Sequence, residues 1–339
     1  MTITHTVKED ASIYSRTSVN KIKIENPHDK FFKETLGSIE VAKSFLLHYL
    51  PSEIIKIIDE DTLSPEKDSF IDKELKERFS DLLFSANIYG RKGYIYFLFE
   101  HKSYTDRSVI FQLLKYMTEI WNMKLLKEKT ELLPIIIPLV IYHGASEWNI
   151  ETTLADMISG YKEFPNGVKK YIPNYEYLIY DLSNYTDEQI KGDARIKIMI
   201  TLYRDVQKAE NVEELLDTIV KAIHYLRELE DKQTGMEYFN TAILYIFSAA
   251  KNLTRKDMNK IITKIENTYP EGSELIMTLA DILREEGKIE GKKEGKKEGK
   301  KEGIKAVALE MLKKGSSIHF VAEVTHLDVN EVEKLKRLV

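Results

Sequence analysis

Asp81, Glu100 and Lys102 are the residues whose types and spacing could carry out a reaction. They lie in "RFSDLLFSANIYGRKGYIYFLFEHKS" (78–103), two β-rich runs around Gly90-Arg91-Lys92-Gly93, which is a hairpin signal. With Arg91-Lys92 as a two-residue loop, Gly90 pairs with Gly93. Leu82, Phe84, Ala86 and Ile88 then fall opposite His101, Phe99, Phe97 and Ile95, which makes one face almost wholly apolar. The other face carries Asp81, Leu83, Ser85 and Asn87 opposite Lys102, Glu100, Leu98 and Tyr96. Asp81 is thus expected directly across from Lys102 and diagonal to Glu100. A diagonal spans about 7–8 Å, within reach of one shared metal ion.

Two carboxylates and an amine at the end of a buried hairpin can do hydrolysis. Oxygen ligands from Asp81 and Glu100, joined by the backbone carbonyl of His101, suit a hard ion such as Mg²⁺, with Mn²⁺ as a substitute. The ion would polarise a phosphoryl oxygen and lower the pKa of a bound water. Lys102 could position or deprotonate that water, or stabilise charge in the transition state. A solvated strand end produces the same E-x-K in a chain rich in Glu and Lys. Spacing alone does not separate the two readings.

The elements that must position these residues follow from patterning. "HDKFFKETLGSIEVAKSFLLHYL" (28–50) has helical spacing broken near Gly37-Ser38, and Pro51 stops the second helix. "DRSVIFQLLKYMTEIWNMKLLKEK" (106–129) is a long amphipathic helix with Val109, Ile110, Leu113, Leu114, Met117 and Trp121 on its apolar side. "LLPIIIPLVIYHG" (132–144) reads as a strand buried on both faces, and "YEYLIYDLS" (175–183) as another short strand. Helix, hairpin, helix and strands together predict a mixed α/β core. From Thr186 to Glu286 the patterns are almost wholly helical.

Five segments are expected: a loose arm (1–24), the α/β core (25–205), a helical region (206–286), a linker (287–303) and a helical tail (304–339). The linker, "GKIEGKKEGKKEGKKEG", carries glycine at every fourth position with seven lysines and four glutamates, a local excess of +3. Each glycine costs a helix about 1 kcal/mol against alanine, so a solvated linker is expected. The tail has helix-turn-helix proportions, with Ile318, Val321, Ala322 and Leu327 as its packing residues.

Composition narrows the class. The chain has 339 residues, 43% hydrophobic and 31% charged, a soluble globular balance. No apolar run is long enough to span a membrane and the first residues lack an apolar leader, so a cytoplasmic protein is expected. Zero cysteines remove disulfides and thiolate metal sites together. The net charge of −5 gives no whole-protein attraction to nucleic acid. No phosphate-binding loop or nucleophile elbow occurs, and no small-molecule cofactor is implied.

The order of helix, strand with Asp81, turn, strand with Glu100-His101-Lys102, helix and strand resembles the PD-(D/E)xK nuclease superfamily. "NPHDKFFKE", "FSDLLF", "FLFEHKS", "FQLLKYM" and "PLVIYHG" followed by Trp148 are similar to the recombination-promoting nuclease (Rpn), or YhgA-like transposase, family over about residues 26–280. That resemblance implies a restriction-endonuclease-like core, a mixed sheet flanked by helices, followed by an α-helical C-terminal region. It implies Mg²⁺-dependent cleavage of DNA with a role in recombination or element mobility. Asp81 and Glu100 would be the metal ligands and Lys102 the catalytic lysine. Gln112 joins them, with Tyr116 one turn later on the same helix face. Ser80 stands where the superfamily motif has proline. A homodimer is a further expectation, since cutting both strands needs two sites. The alternative is a non-catalytic DNA-binding or assembly protein on a nuclease scaffold.

Other polar residues have structural readings. Asn26 or Asp29 caps the first helix behind Pro27, with a contact from His28 to DNA as the lesser alternative. His143 either faces the site or ends its strand. The His101 side chain points to the apolar face, and Glu34 and Glu40 are solvated.

Overall fold

β-Branched and aromatic residues in "YIYFLF" and "IIIPLVIY" have little conformational freedom to lose in a pleated sheet, and these two runs form its centre. The computed structural model describes residues 26–66, 80–100, 105–128, 131–144, 146–250, 253–272, 295–296 and 299–337. Strands β1 (Ile58–Pro65), β2 (Ser80–Ile88), β3 (Arg91–Glu100), β4 (Ile136–Tyr142) and β5 (Leu178–Asp181) form one five-stranded sheet in sequence order. β2 runs antiparallel to its neighbours β1 and β3, while β4 and β5 run parallel to β3. This is the expected mixed α/β sheet with flanking helices and a helical C-terminal region.

Helices α1 (Pro27–Leu36) and α2 (Ile39–Tyr49) break at Gly37-Ser38, as the spacing predicted. They cover one face of the sheet, where the ring of Phe45 meets Phe97 at 5.7 Å and Phe97 meets Phe84 at 5.7 Å. The other face is covered by α3 (Val109–Glu128), whose Val109, Ile110, Leu113, Tyr116 and Ile120 pack on Leu83, Tyr94, Tyr96, Leu98 and Val140. Because β4 is parallel to β3, α3 is the crossover that returns the chain to the starting end of the sheet. Helices α4 (Ala194–Asp205), α5 (Val212–Leu226), α6 (Lys232–Ala249) and α7 (Arg255–Thr268) follow.

The hairpin turns two residues earlier than expected. Ile88 pairs with Arg91, so the loop is Tyr89-Gly90, with φ of 52° and 71°. A two-residue hairpin of the I′ type needs positive φ at both loop positions, which favours glycine at the second. Arg91-Lys92 would have forced two long side chains into that region. The register moves by four residues, an even number, so both faces keep their members. Asp81 now pairs with Leu98, and the expected pairing with Lys102 is replaced. β1 had no strand pattern in "IDEDTLSP" because it is an edge strand with a single buried side chain, Leu63.

The chain divides into two compact units, Lys23–Ile276 and one that includes Met277–Val339. In the second, a helix over 299–313 (α8) packs through Ala308 and Leu312 on α9 (Ile318–Thr325) and α10 (Val329–Lys336), with Val321 and Val332 buried. Ile318, Ala322 and Leu327 border that small core, the packing role assigned from sequence. Part of the glycine run is therefore helical, because α8 gains from tertiary packing what its glycines cost. His326, at φ 55°, makes the turn between α9 and α10. No helix among the described residues is long and apolar enough to cross a membrane.

Candidate active site

The amino end of β2 and the carboxyl ends of β3, β4 and β5 meet at one end of the sheet. In open α/β sheets this is the end where ligands bind. The register there pairs Asp81 with Leu98, Glu100 with Tyr142, and Tyr142 with Asp181. Asp81 and Glu100 are thus one diagonal apart on the face they share with Leu83, Tyr96 and Leu98. Leu83, Tyr96 and Leu98 are buried beneath α3. His101 and Lys102 lie outside the described residues. Among the described residues, no group of three or more histidine or carboxylate side chains stands ready to hold an ion.

Gln112 stands on the first turn of α3, one turn nearer the Glu100 end of β3 than Tyr116. The Tyr116 ring lies 5.4 Å from that of Tyr96. The Gln112 Nε2 donates to Ser108 Oγ at 2.8 Å, while its Oε1 is buried with no hydrogen-bond partner. A buried acceptor left without a donor costs about 1–3 kcal/mol. Tyr175 donates to the carbonyl of Ile110 and so fixes the same turn. Burial raises the phenols of Tyr175 and Tyr177, the latter to about 12, which keeps this wall uncharged at neutral pH.

Asp181 continues the row across the sheet, but its oxygens are engaged. It accepts from the backbone N–H of Trp148 at 2.8 Å, from that of Ser183 at 3.1 Å and from the amide of Asn184 at 3.2 Å. These bonds close the loop after β4 onto the end of β5. Tyr142 completes the closure by donating to the Ser146 carbonyl at 2.8 Å, with Trp148 edge-on at 4.9 Å. The apolar run ending in "YHG" signalled a strand end, while the partnership of Trp148 with Asp181 spans 33 residues and had no local signal.

His143 follows Tyr142 and therefore turns to the opposite face. It is buried, stacks on Tyr203 at 4.6 Å and lies 5.2 Å from the His28 ring. The Tyr203 hydroxyl donates to the His28 carbonyl at 2.7 Å, and Tyr245 bonds the His28 Nδ1 at 3.0 Å. His28 and His143 thus tie α1 to the sheet and to α4 and α6 behind the carboxylates. The expected side-chain cap from Asn26 is absent. Asn26 adopts φ 53°, and Asp29 in the first turn complements the helix dipole. Glu34 pairs with Lys30 at 3.6 Å and Glu40 accepts from Ser38 at 2.6 Å, so both serve their helices.

Comparison with known proteins adds an independent observation. Residues 26–234 match the family described as "Putative transposase, YhgA-like". Recombination-promoting nuclease RpnC of Escherichia coli K12 is 28% identical over 92% of this chain and 98% of its own length. RpnD of Escherichia coli O157:H7, a protein of the same description, is 25% identical over 77% of this chain and 95% of its own. The inactive recombination-promoting nuclease-like protein RpnE of strain K12 is 27% identical over 89% and 95%. No solved structure matches.

Proposed function

Because the chain belongs to the YhgA-like transposase family, whose relatives here include recombination-promoting nucleases, we propose that it is a Mg²⁺-dependent DNA endonuclease. One observation carries the reading. Asp81 and Glu100 share a face, one diagonal apart, at the ligand-binding end of the sheet. Gln112 stands over the same end with a buried, unpartnered carbonyl oxygen.

The donor set fits a hard divalent ion. Asp81 and Glu100 would hold it with the His101 carbonyl, and a bound Mg²⁺ supplies phosphoryl polarisation and a more acidic water. Lys102 would position or, as the neutral amine, deprotonate the attacking water, or as the ammonium stabilise charge developing on the phosphate. Gln112 offers its carbonyl oxygen to a donor in the bound state. Leu98, Tyr96 and the neutral phenols exclude bulk water from the floor beneath, which strengthens each polar contact above it.

The test is nicking and linearisation of supercoiled plasmid with Mg²⁺, Mn²⁺, Ca²⁺ or EDTA. Wild type is compared with Asp81→Ala and Lys102→Ala. Metal-dependent cutting that disappears in both variants is the expected result. Cutting that persists in both would overturn the assignment. A parallel RNA substrate separates the two nucleic acids. The second reading, a non-catalytic DNA-binding protein on this scaffold, has one observation behind it, the inactive relative RpnE. It predicts DNA retention by every version and cutting by none.

A further inference from the structure

Between β4 and β5 the chain leaves the sheet as a strap whose two ends are tied together. The Leu154 N–H donates to the Tyr175 carbonyl at 3.0 Å and the Tyr177 N–H to the Thr152 carbonyl at 3.2 Å. The Ala155 N–H donates to the Asn174 side-chain oxygen at 2.9 Å. The Tyr175 phenol, donating to the Ile110 carbonyl, roots the strap on the first turn of α3, which also carries Gln112. Residues 160–173, "GYKEFPNGVKKYIP", project from that root. They hold three lysines and one glutamate, a local excess of +2 in a chain of net −5. Two large rings on them stand in solvent, Tyr171 at 79% and Phe164 at 39% exposure.

The backbone beneath these rings is held by its own hydrogen bonds. The Phe164 N–H donates to the Tyr161 carbonyl at 3.3 Å, and the Lys169 N–H to that of Pro165 at 3.2 Å. The Tyr171 N–H donates to the Val168 carbonyl at 3.0 Å. Pro165 and Pro173 restrict φ at two further points. Cations lie beside the rings: Lys169 Nζ is 5.4 Å from the centre of Tyr161, and Lys170 Nζ is 4.9 Å from that of Tyr171. Lys162 is paired with Asp156 at 3.0 Å, so the excess charge rests on Lys169 and Lys170.

We propose that this strap is a docking surface for single-stranded DNA, with a base stacked on Tyr171 and phosphates beside Lys169 and Lys170. Rings interleaved with cations suit a ligand that alternates flat bases with anionic phosphates. An apolar protein face would bury the two ammoniums without acidic partners, which is costly. A backbone already held in place loses little further freedom on binding. The consequence for the active site rests on the nuclease reading. The strap is rooted at the turn that stands over the Asp81 and Glu100 end of the sheet, so the bound strand lies beside that end. The substrate class is then DNA with an unpaired strand next to the scissile bond, as in a tailed, gapped or branched duplex.

The experiment is fluorescence anisotropy of the full chain, in EDTA so that nothing is cut. The probe is a labelled oligo-dT of about 20 nucleotides, longer than the ~4–16 that one compact site covers. Wild type should bind it. Tyr171→Ala should weaken binding at least about 5-fold, the lower end for one stacked base. Tyr171→Phe keeps the ring and should stay within about two-fold of wild type. K169Q/K170Q should flatten the plot of log affinity against log salt by about 1.4, two phosphate contacts at ~0.7 each. Tyr89→Ala removes an equally exposed ring at the hairpin tip and should leave binding unchanged. A wild type that does not bind, or an unchanged Tyr171→Ala, overturns the proposal. So does a Tyr171→Phe as weak as Tyr171→Ala, an unchanged salt slope, or an equal loss in Tyr89→Ala. With Mg²⁺, a duplex bearing a single-stranded tail should be cut faster than a blunt one, and Tyr171→Ala should remove that preference. Equal rates on both by wild type overturn the substrate class. A chain that binds through Tyr171 and never cuts would sink only the nuclease reading. One that cuts, with Tyr171→Ala binding as wild type does, would sink only this one.

Discussion

Asp81 pairs with Leu98 and stands one diagonal from Glu100, on the sheet face that α3 covers. On the proposed reading, a divalent cation would offset the repulsion between two carboxylates at these positions. Asp81→Asn and Glu100→Gln should each lower cutting by at least about 100-fold. The double variant should be hardly worse than either single one, because groups that act as a unit are not additive. Thermal melting gives a reading independent of turnover. Mg²⁺ should raise the Tm of wild type, since a ligand that binds only the folded chain stabilises it. In EDTA both neutral variants should melt at or above the wild type, and added Mg²⁺ should leave them unmoved.

The Tyr89-Gly90 turn can be tested by where glycine matters. A Cβ on Gly90 meets nothing within 4 Å, so a substitution there probes backbone conformation alone. At φ 71°, Gly90→Ala should cost about 1–2 kcal/mol in denaturant unfolding. Arg91→Ala and Lys92→Ala, exposed residues at the start of β3, should stay within about 0.5 kcal/mol. Comparable losses at Arg91 or Lys92 would argue for the turn read from sequence.

That turn also shows how much was legible. Faces are set by a period of two, so the apolar segregation of the hairpin survived an error of four residues in register. The pairing partner of Asp81 depends on turn type, and two glycines three residues apart offered two solutions. "LLPIIIPLVIYHG" revealed β4 because a parallel strand buried on both faces must be apolar throughout. β1, at the edge, has no such requirement and left no pattern. Which face His143 takes follows from strand alternation once Tyr142 is paired with Glu100. The closure of Asp181 onto Trp148 depends on distant chain segments meeting. Lys102, the easiest residue to single out from its motif, lies outside the described residues.

Tyr203 links α4 to the backbone of α1. Its hydroxyl donates to the His28 carbonyl at 2.7 Å, and its ring lies 5.5 Å from Phe31 and 4.6 Å from His143. Burial holds its phenol far above the usual tyrosine range, so the donor stays protonated at any working pH. Tyr203→Phe keeps the ring contacts and deletes the donor. It should cost about 1–3 kcal/mol, the expense of a buried carbonyl left without that bond. Equilibrium unfolding measures the loss. Tyr203→Phe with Tyr245→Phe should depart from additivity, because both hydroxyls bond the same His28.

Acid should loosen the junction between the 187–189 turn and helices α4 and α5. Asp187 Oδ1 lies 2.6 Å from the Arg204 Nη2, and Oδ2 lies 2.9 Å from Lys221 Nζ. The hydrogen bond from Lys221, then that from Arg204, holds the Asp187 carboxyl below its ordinary value. An unfolded aspartate titrates near 3.9, and the folded one titrates lower. The stabilisation is therefore fully present above about pH 4 and is lost as pH falls through the lower folded value. Asp187 is 47% exposed, so the surrounding water limits its contribution to at most about 1 kcal/mol. Asp187→Asn should melt below wild type at pH 7. The gap should close as the buffer is taken below pH 4, because protonation has by then removed the same charge from the wild type. Salt should narrow the gap at pH 7 as well, since screening acts on partly exposed pairs. A gap unchanged between pH 7 and pH 2 would mean that Asp187 acts through its shape and hydrogen bonds, with its charge contributing nothing.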